Sequence, residues 1–181
     1  METRRILLRE VRTDDLATLF AWRNTEKFRI FVHHTRDAID YDSFCKEFAA
    51  DTAARTFQYA IEKKDDHRLI GLTYVHSYSA SDRHCFIDVF LEEPSEGRGY
   101  GVDVVALLYR FLVESRGMRR IYADALDCNT SSIAGMRGAG MTEVERFIGK
   151  KLYRGQHHDV VRFVAESDLL PKAIRLLQRL S

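Results

Sequence analysis

The stretch that most constrains this chain runs from Phe86 to Val113, FIDVFLEEPSEGRGYGVDVVALLYRFLV. An apolar run rich in Phe, Ile and Val enters the glycine-rich turn Gly97-Arg98-Gly99-Tyr100-Gly101, after which Val105, Leu108 and Leu112, flanked by Val104 and Phe111, recur at helical spacing. The pattern predicts a strand, a tight loop and an amphipathic helix over 102–113. Closely spaced glycines allow positive φ and close approach of the backbone to a ligand, while the first helical turn leaves N–H groups without intrahelical acceptors. Those donors and the positive end of the helix dipole favour an anion, and Arg98 adds a planar, charge-assisted donor. A phosphate-bearing ligand is therefore expected. No Lys-Ser or Lys-Thr follows Gly101, which excludes a Walker loop, and the glycine spacing is not G-x-G-x-x-G, which excludes the dinucleotide fingerprint. A hairpin turn is the plain alternative, but it would lead into a second strand rather than a helical stripe.

The 181 residues suffice for one domain with a sizeable core, and residues 1–181 are read as a single unit. Lys plus Arg is 28 against 27 Asp plus Glu, a net charge of +1 that gives no sign of a nucleic-acid surface. No run has the apolar length of a membrane span, and Met1-Glu2-Thr3-Arg4-Arg5 has no signal-peptide character, so a cytoplasmic protein is expected. Cys45, Cys85 and Cys128 are widely spaced and read as buried free thiols. His33-His34 and His157-His158 suggest a metal, yet adjacent histidines diverge and only Asp159 sits at ligand spacing, so no metal is expected.

Along the chain, residues 5–11 read as a first strand. Thr13 is placed as the N-cap of a helix reaching about Asn24, and Asp40 begins a second helix with Tyr41, Phe44 and Phe48 at helical spacing. Residues 56–63 and 68–78 form a β-hairpin, 83–92 the next strand, and 119–126 a further strand. Residues 142–154 and 158–165 make a last antiparallel pair, and Ser167 caps a terminal helix bearing Leu170, Ile174 and Leu177.

Two motifs together resemble the GCN5-related N-acetyltransferase (GNAT) family. Its pyrophosphate loop, [QR]-x-x-G-x-[GA], corresponds to Glu96-Gly97-Arg98-Gly99-Tyr100-Gly101, with Glu96 where the family has Gln or Arg. The second motif, N-x-x-[AS]-[IV] with a Gly-[FM] pair eleven residues on, is met by Asn129, Ser132, Ile133, Gly140 and Met141, while Arg137 falls one place before the usual basic position. Trp22-Arg23-Asn24 with Arg29 resembles a segment of the RimJ/RimL-like branch, which includes amino-sugar-nucleotide N-acetyltransferases. The resemblance implies an α+β fold with a mixed, mostly antiparallel sheet of about seven strands flanked by helices, in which a splayed strand pair binds acetyl-CoA. It further implies that Val89, Phe90 and Leu91 flank the pantetheine and thioester, that Gly97 and Arg98 to Val102 hold the diphosphate, and that Asn129 and Ser132 meet the pantetheine arm. Trp22, Arg23, Asn24 and Arg29 would wall the acceptor pocket. A core Trp22 and an ion-paired Arg23 are equally open readings.

Acetyl transfer to an amine requires a neutral amine, a polarised carbonyl and a proton for the leaving thiolate. Many family members place a Tyr seven residues after the Asn; here the position is Met136. Ser132 is the substitute donor, ahead of Tyr100 and Tyr109. Asp88 is the first choice for a base and His84 the second, with a cross-strand ion pair the alternative role for Asp88. Deprotonating a lysine-like amine at neutral pH costs roughly 4.6 kcal/mol, an α-amino group only about 1 to 1.4 kcal/mol. A low-pKa acceptor is therefore expected: a small-molecule primary amine such as an amino sugar, or a protein N-terminus in a RimJ/RimL-like activity. The rival from another class is a CoA-binding domain without catalysis. The chain is expected as a monomer or homodimer with no metal, and Gly99→Asp is expected to put a charge into the diphosphate site.

Overall fold

The computed structural model describes residues 1–31, 37–54 and 57–169; His33, His34 and the helix expected from Leu170 onward lie outside them. Seven strands form one sheet in the order β1-β2-β3-β4-β5-β7-β6. They are β1 (Ile6–Arg9), β2 (Phe57–Lys63), β3 (Leu69–Ser79), β4 (His84–Leu91), β5 (Arg120–Leu126), β6 (Thr142–Tyr153) and β7 (Gln156–Glu166). Every neighbouring pair is antiparallel except β4 and β5. The helices are α1 (Leu16–Arg23), α2 (Glu26–Phe31), α3 (Tyr41–Ala54), α4 (Tyr100–Arg110) and α5 (Thr130–Gly138). The expected fold class is thus the observed one.

Alternation along the strands separates two apolar layers. On one face Val75, Cys85, Ile87 and Ile121 pack beneath α4, whose Val104, Leu107 and Leu108 are buried, as is Leu112 just beyond its end. On the other, Leu72, Tyr74 and Phe90 meet Trp22 and Phe28 of α1 and α2 and Phe44 of α3. The ring of Trp22 lies 5.3 Å from that of Phe90. Trp22 is therefore a core residue.

Local chemistry sets the helix starts. Asp40 accepts a hydrogen bond from the Ser43 amide at 2.8 Å, the expected cap of α3. Thr13 does not cap; it opens a short 3-10 turn, Thr13–Asp15, in which Asp15 reaches back to the Arg12 amide at 2.7 Å. Ser167 begins another 3-10 turn, Ser167–Leu169. Of the three thiols only Cys85 is buried; Cys45 is half-buried and Cys128 exposed, contrary to expectation.

Arg9 joins three elements near the first turn. Its guanidinium meets Glu62 at 2.5 Å and Asp15 at 2.7 and 2.9 Å. Burial alone would raise both carboxyl pKa values, but the bonds from Arg9, with the Arg12 amide at Asp15, hold them below the ordinary range. Groups depressed in the native state contribute stability above their unfolded values of about 3.9 and 4.3 and lose it as pH falls through the lower native ones. The urea midpoint should therefore decline as pH drops below about 4, and an Arg9→Met variant should show a shallower decline over that window.

Candidate active site

β4 and β5 are paired at only three positions, His84 with Arg120, Cys85 with Ile121 and Phe86 with Tyr122. Beyond Phe86 the two strands diverge, each still laddered to its other neighbour: β4 to β3 as far as Leu91, β5 to β7 as far as Leu126. The carbonyl of Asp88 accepts from the Thr73 hydroxyl at 2.7 Å and the Glu92 amide donates to Ile70, so even-numbered residues of β4 turn their main-chain groups towards β3. Alternation then directs those of Val89 and Leu91 into the gap. Consistent with this, the Leu91 carbonyl accepts from Lys27 Nζ of α2 at 2.8 Å.

The gap opens into a cavity of about 710 Å³, a size ordinary for small-molecule sites. It is lined by Asp88, Val89, Phe90 and Leu91 from β4, by Ala123 to Leu126 from β5, and by the glycine loop. Asn129, Ser132 and Met136 of the α5 segment close one side, with Lys27, Ile30 and Phe31 of α2 and Lys151 of β6 on another.

The loop is shaped for an anion. Gly97 and Gly99 have φ of 69° and 82°, and α4 begins at Tyr100. Among the described residues, no protein acceptor takes the N–H groups of Gly97, Arg98, Gly99, Tyr100 or Gly101. Val102, expected as a further donor, instead bonds the Gly99 carbonyl at 3.1 Å, because it already lies in the first helical turn. The Arg98 side chain is exposed and outside the cavity wall.

Behind the loop stands Arg5 of the segment leading into β1. Its guanidinium donates to the carbonyls of Arg98 at 3.0 Å and Gly99 at 3.3 Å, and to the fully buried Asp103 carboxylate at 2.5 and 3.0 Å. By fixing the carbonyls on the far side, Arg5 helps aim the following N–H groups into the cavity, since each peptide's C=O and N–H point oppositely. A Cβ on Gly99 would lie 3.3 Å from Arg5 Nη2. Gly99→Asp would therefore set its carboxylate against Arg5, behind the loop, and not in the anion site as expected from sequence.

Asp88 faces the opposite layer and forms the cross-strand pair foreseen as its alternative role: His76 Nε2 lies 3.1 Å from its carboxylate. His76 is stacked on Phe86, and its Nδ1 is 3.1 Å from Ser77 Oγ. Asp124, across the gap on β5, is held by Arg162 at 2.8 and 2.9 Å. His84 sits at the closed end of the strand pair against Tyr122 and does not line the cavity. Tyr109 is buried, donates to the Glu166 carbonyl, and has its phenol pushed up to about 12 by burial. Tyr100 lines the cavity, with Arg5 over its ring. Asn129 caps α5 by accepting from the Ser132 amide at 3.2 Å.

The segment expected to wall an acceptor pocket is engaged elsewhere. Arg23 is 3% exposed and bound to Glu47 at 2.6 and 2.9 Å. Asn24 exchanges two hydrogen bonds with the backbone of Ile39, at 2.9 and 3.0 Å. Neither these two, nor Trp22, nor Arg29 lines the cavity. The residues of this region that do so belong to the following turn and a half, Lys27, Ile30 and Phe31, and a helical spacing of three and four was their available signal. Outside the cavity, tertiary contact brings Asp127 and Cys128 beside His158, with possible ligand atoms within 4.8 Å of one another and His158 Nδ1 2.7 Å from Asp127. Sequence spacing gave no hint of that grouping.

A splayed parallel strand pair ending in a glycine loop at a helix N-terminus is the arrangement that the resemblance to acetyltransferases implies. The chain belongs to the acetyltransferase (GNAT) domain family, whose model matches residues 5–142, and its activity class is acetyl-CoA-dependent N-acetyltransferase. Among solved structures, it is similar to spermidine N-acetyltransferase from Vibrio cholerae in complex with CoA and spermine, with a TM-score of 0.78 at 14% identity over 90% of this chain and 96% of that one. It is also similar to an acetyltransferase (GNAT family) from Bacillus anthracis, with a TM-score of 0.79 at 14% identity over 93% and 98%. At such identities the likeness is one of fold. No curated protein matches the chain significantly in sequence. No helix among the described residues is long and apolar enough to cross a membrane.

Proposed function

We propose that the chain acetylates the primary amine of a small molecule, with acetyl-CoA laid in the gap between β4 and β5. The observation that carries this is the continuity of one cavity from the unengaged N–H groups at Gly97–Gly101, past the open edge of β4, to Asp88. The loop donors suit a diphosphate. The main-chain groups of Val89 and Leu91 suit the amides of a pantetheine arm, and a β4 N–H suits the thioester oxygen as charge develops on it. Asn129 and Ser132 line the same cavity and would meet that arm.

The thioester supplies an acyl group that an amine attacks directly once it has lost its proton. Asp88 is the group of this chain best disposed to attract the ammonium and take that proton, with His76 orienting its carboxylate. Ser132 is the hydroxyl nearest in role to the missing Tyr at Met136, and would relay a proton to the departing thiolate while taking one up from solvent, so that no alkoxide is left behind. Of the acidic residues that line the cavity, Arg162 neutralises Asp124 with two hydrogen bonds and Lys27 neutralises Glu96, which leaves Asp88 as the main anionic group for an acceptor. One such group suits a single amine better than a chain of several cations, which supports an amino sugar over a polyamine.

The test is thiol release from acetyl-CoA in the presence of amino sugars and their nucleotides, spermidine and peptides with free N-termini. Turnover confined to amino sugars is expected. Preference for peptides would establish the RimJ/RimL-like alternative, preference for spermidine would overturn the single-amine argument, and CoA binding with no turnover would leave a non-catalytic CoA-binding domain.

A further inference from the structure

We infer that Lys27 is a diphosphate-binding cation which α2 lends to the glycine loop, held by Glu96 until the cofactor's phosphates displace that carboxylate. The inference rests on the reading that the diphosphate sits at Gly97–Gly101. Glu96 occupies the position where a side-chain donor is expected, and it lines the same cavity as the loop. A carboxylate there opposes a diphosphate, so the site needs a compensating cation. Arg98 does not provide one, since its side chain is exposed and outside the cavity wall.

Lys27 does. Its ammonium is ion-paired with Glu96, donates to the Leu91 carbonyl at 2.8 Å and lies 5.0 Å from the centroid of Phe90. Glu96, Leu91 and Phe90 all belong to the cavity wall. The Leu91 carbonyl is on the unladdered edge of β4, beside the path proposed for the pantetheine. The side chain is 32% exposed, and burial pushes its pKa down from the ordinary value, opposed by Glu93. A partly desolvated ammonium gains from stronger anionic company, and a diphosphate carries more charge than one carboxylate. The lysine's flexible stem allows the exchange without movement of the helix.

Binding of CoA and of pantetheine, which has no phosphate, separates this role from a structural one. Lys27→Met should weaken CoA at least tenfold relative to pantetheine, and Lys27→Arg should restore most of the loss. Glu96→Gln, which frees the lysine, should tighten CoA severalfold with little change for pantetheine. Equal loss of both ligands in Lys27→Met, or undiminished CoA affinity, would overturn the inference. Should that variant fail to fold, Glu96→Gln decides alone: tighter CoA supports the inference and unchanged CoA overturns it. Gly101→Asp serves as the separate control on the site. If it retains CoA, the diphosphate reading itself fails; if it loses CoA while Lys27→Met does not, only the role of Lys27 fails.

Discussion

Gly101→Asp is expected to lower CoA affinity at least about a hundredfold, or about 2.7 kcal/mol, while the protein stays folded. The second half of that statement is what makes the experiment decisive. Gly101 is the second residue of α4 and its φ is not positive, so an L side chain meets no backbone strain there. A Cβ would touch only Leu91 Cδ1, at 3.8 Å, an ordinary contact. An aspartate in the first turn also interacts favourably with the helix dipole, so stability should be unchanged or slightly raised. The new carboxylate enters the cavity beside the N–H groups that would hold a diphosphate, adding repulsion and competing for those donors. Calorimetric titration with CoA, together with circular dichroism and a urea melt, gives both halves. Full CoA affinity in the folded variant would remove the loop from the binding site.

Asp88→Asn is expected to reduce kcat by about a hundredfold or more, within the range for loss of a positioned base. The amide keeps the size of the side chain, and it still has an oxygen for His76. It removes the negative charge that would draw an ammonium and the acceptor proposed for its proton. KM for acetyl-CoA should hardly move, because the loop and the β4 edge are untouched. The deficit should shrink as pH rises towards the pKa of the acceptor amine, since more of that amine is then neutral without help. A purely architectural Asp88–His76 pair would give a loss that does not depend on pH, or none.

The parts of the site that were legible beforehand are those written within a few residues of each other. The glycines of the loop, the helical stripe from Val104 to Leu112 and the spacing from Asn129 to Met141 are local patterns, and the structure puts these segments around one cavity. What was not legible depends on contacts between distant segments. Arg5 meets Asp103, Lys27 meets Glu96 and His76 meets Asp88 only because the sheet is assembled, and no periodicity announces such partners. The Trp22-Arg23-Asn24 segment was open to two readings, and its contacts match the packing one. Its polar residues suggested a ligand, but Arg23 and Asn24 fasten α1 to Glu47 and Ile39. A buried arginine matched by a carboxylate reads the same in sequence as one waiting for substrate.

The three-residue junction between β4 and β5 makes the sheet, in mechanical terms, two panels on a short hinge, β1 to β4 on one side and β5 to β7 on the other. α4 spans the two, and beyond the hinge no main-chain ladder among the described residues joins them. A molecule lying in the notch and bonding to its free rim would act as the missing strand. Occupancy and rigidity then rise together, because whatever stitches the panels shut is favoured by the folded state alone.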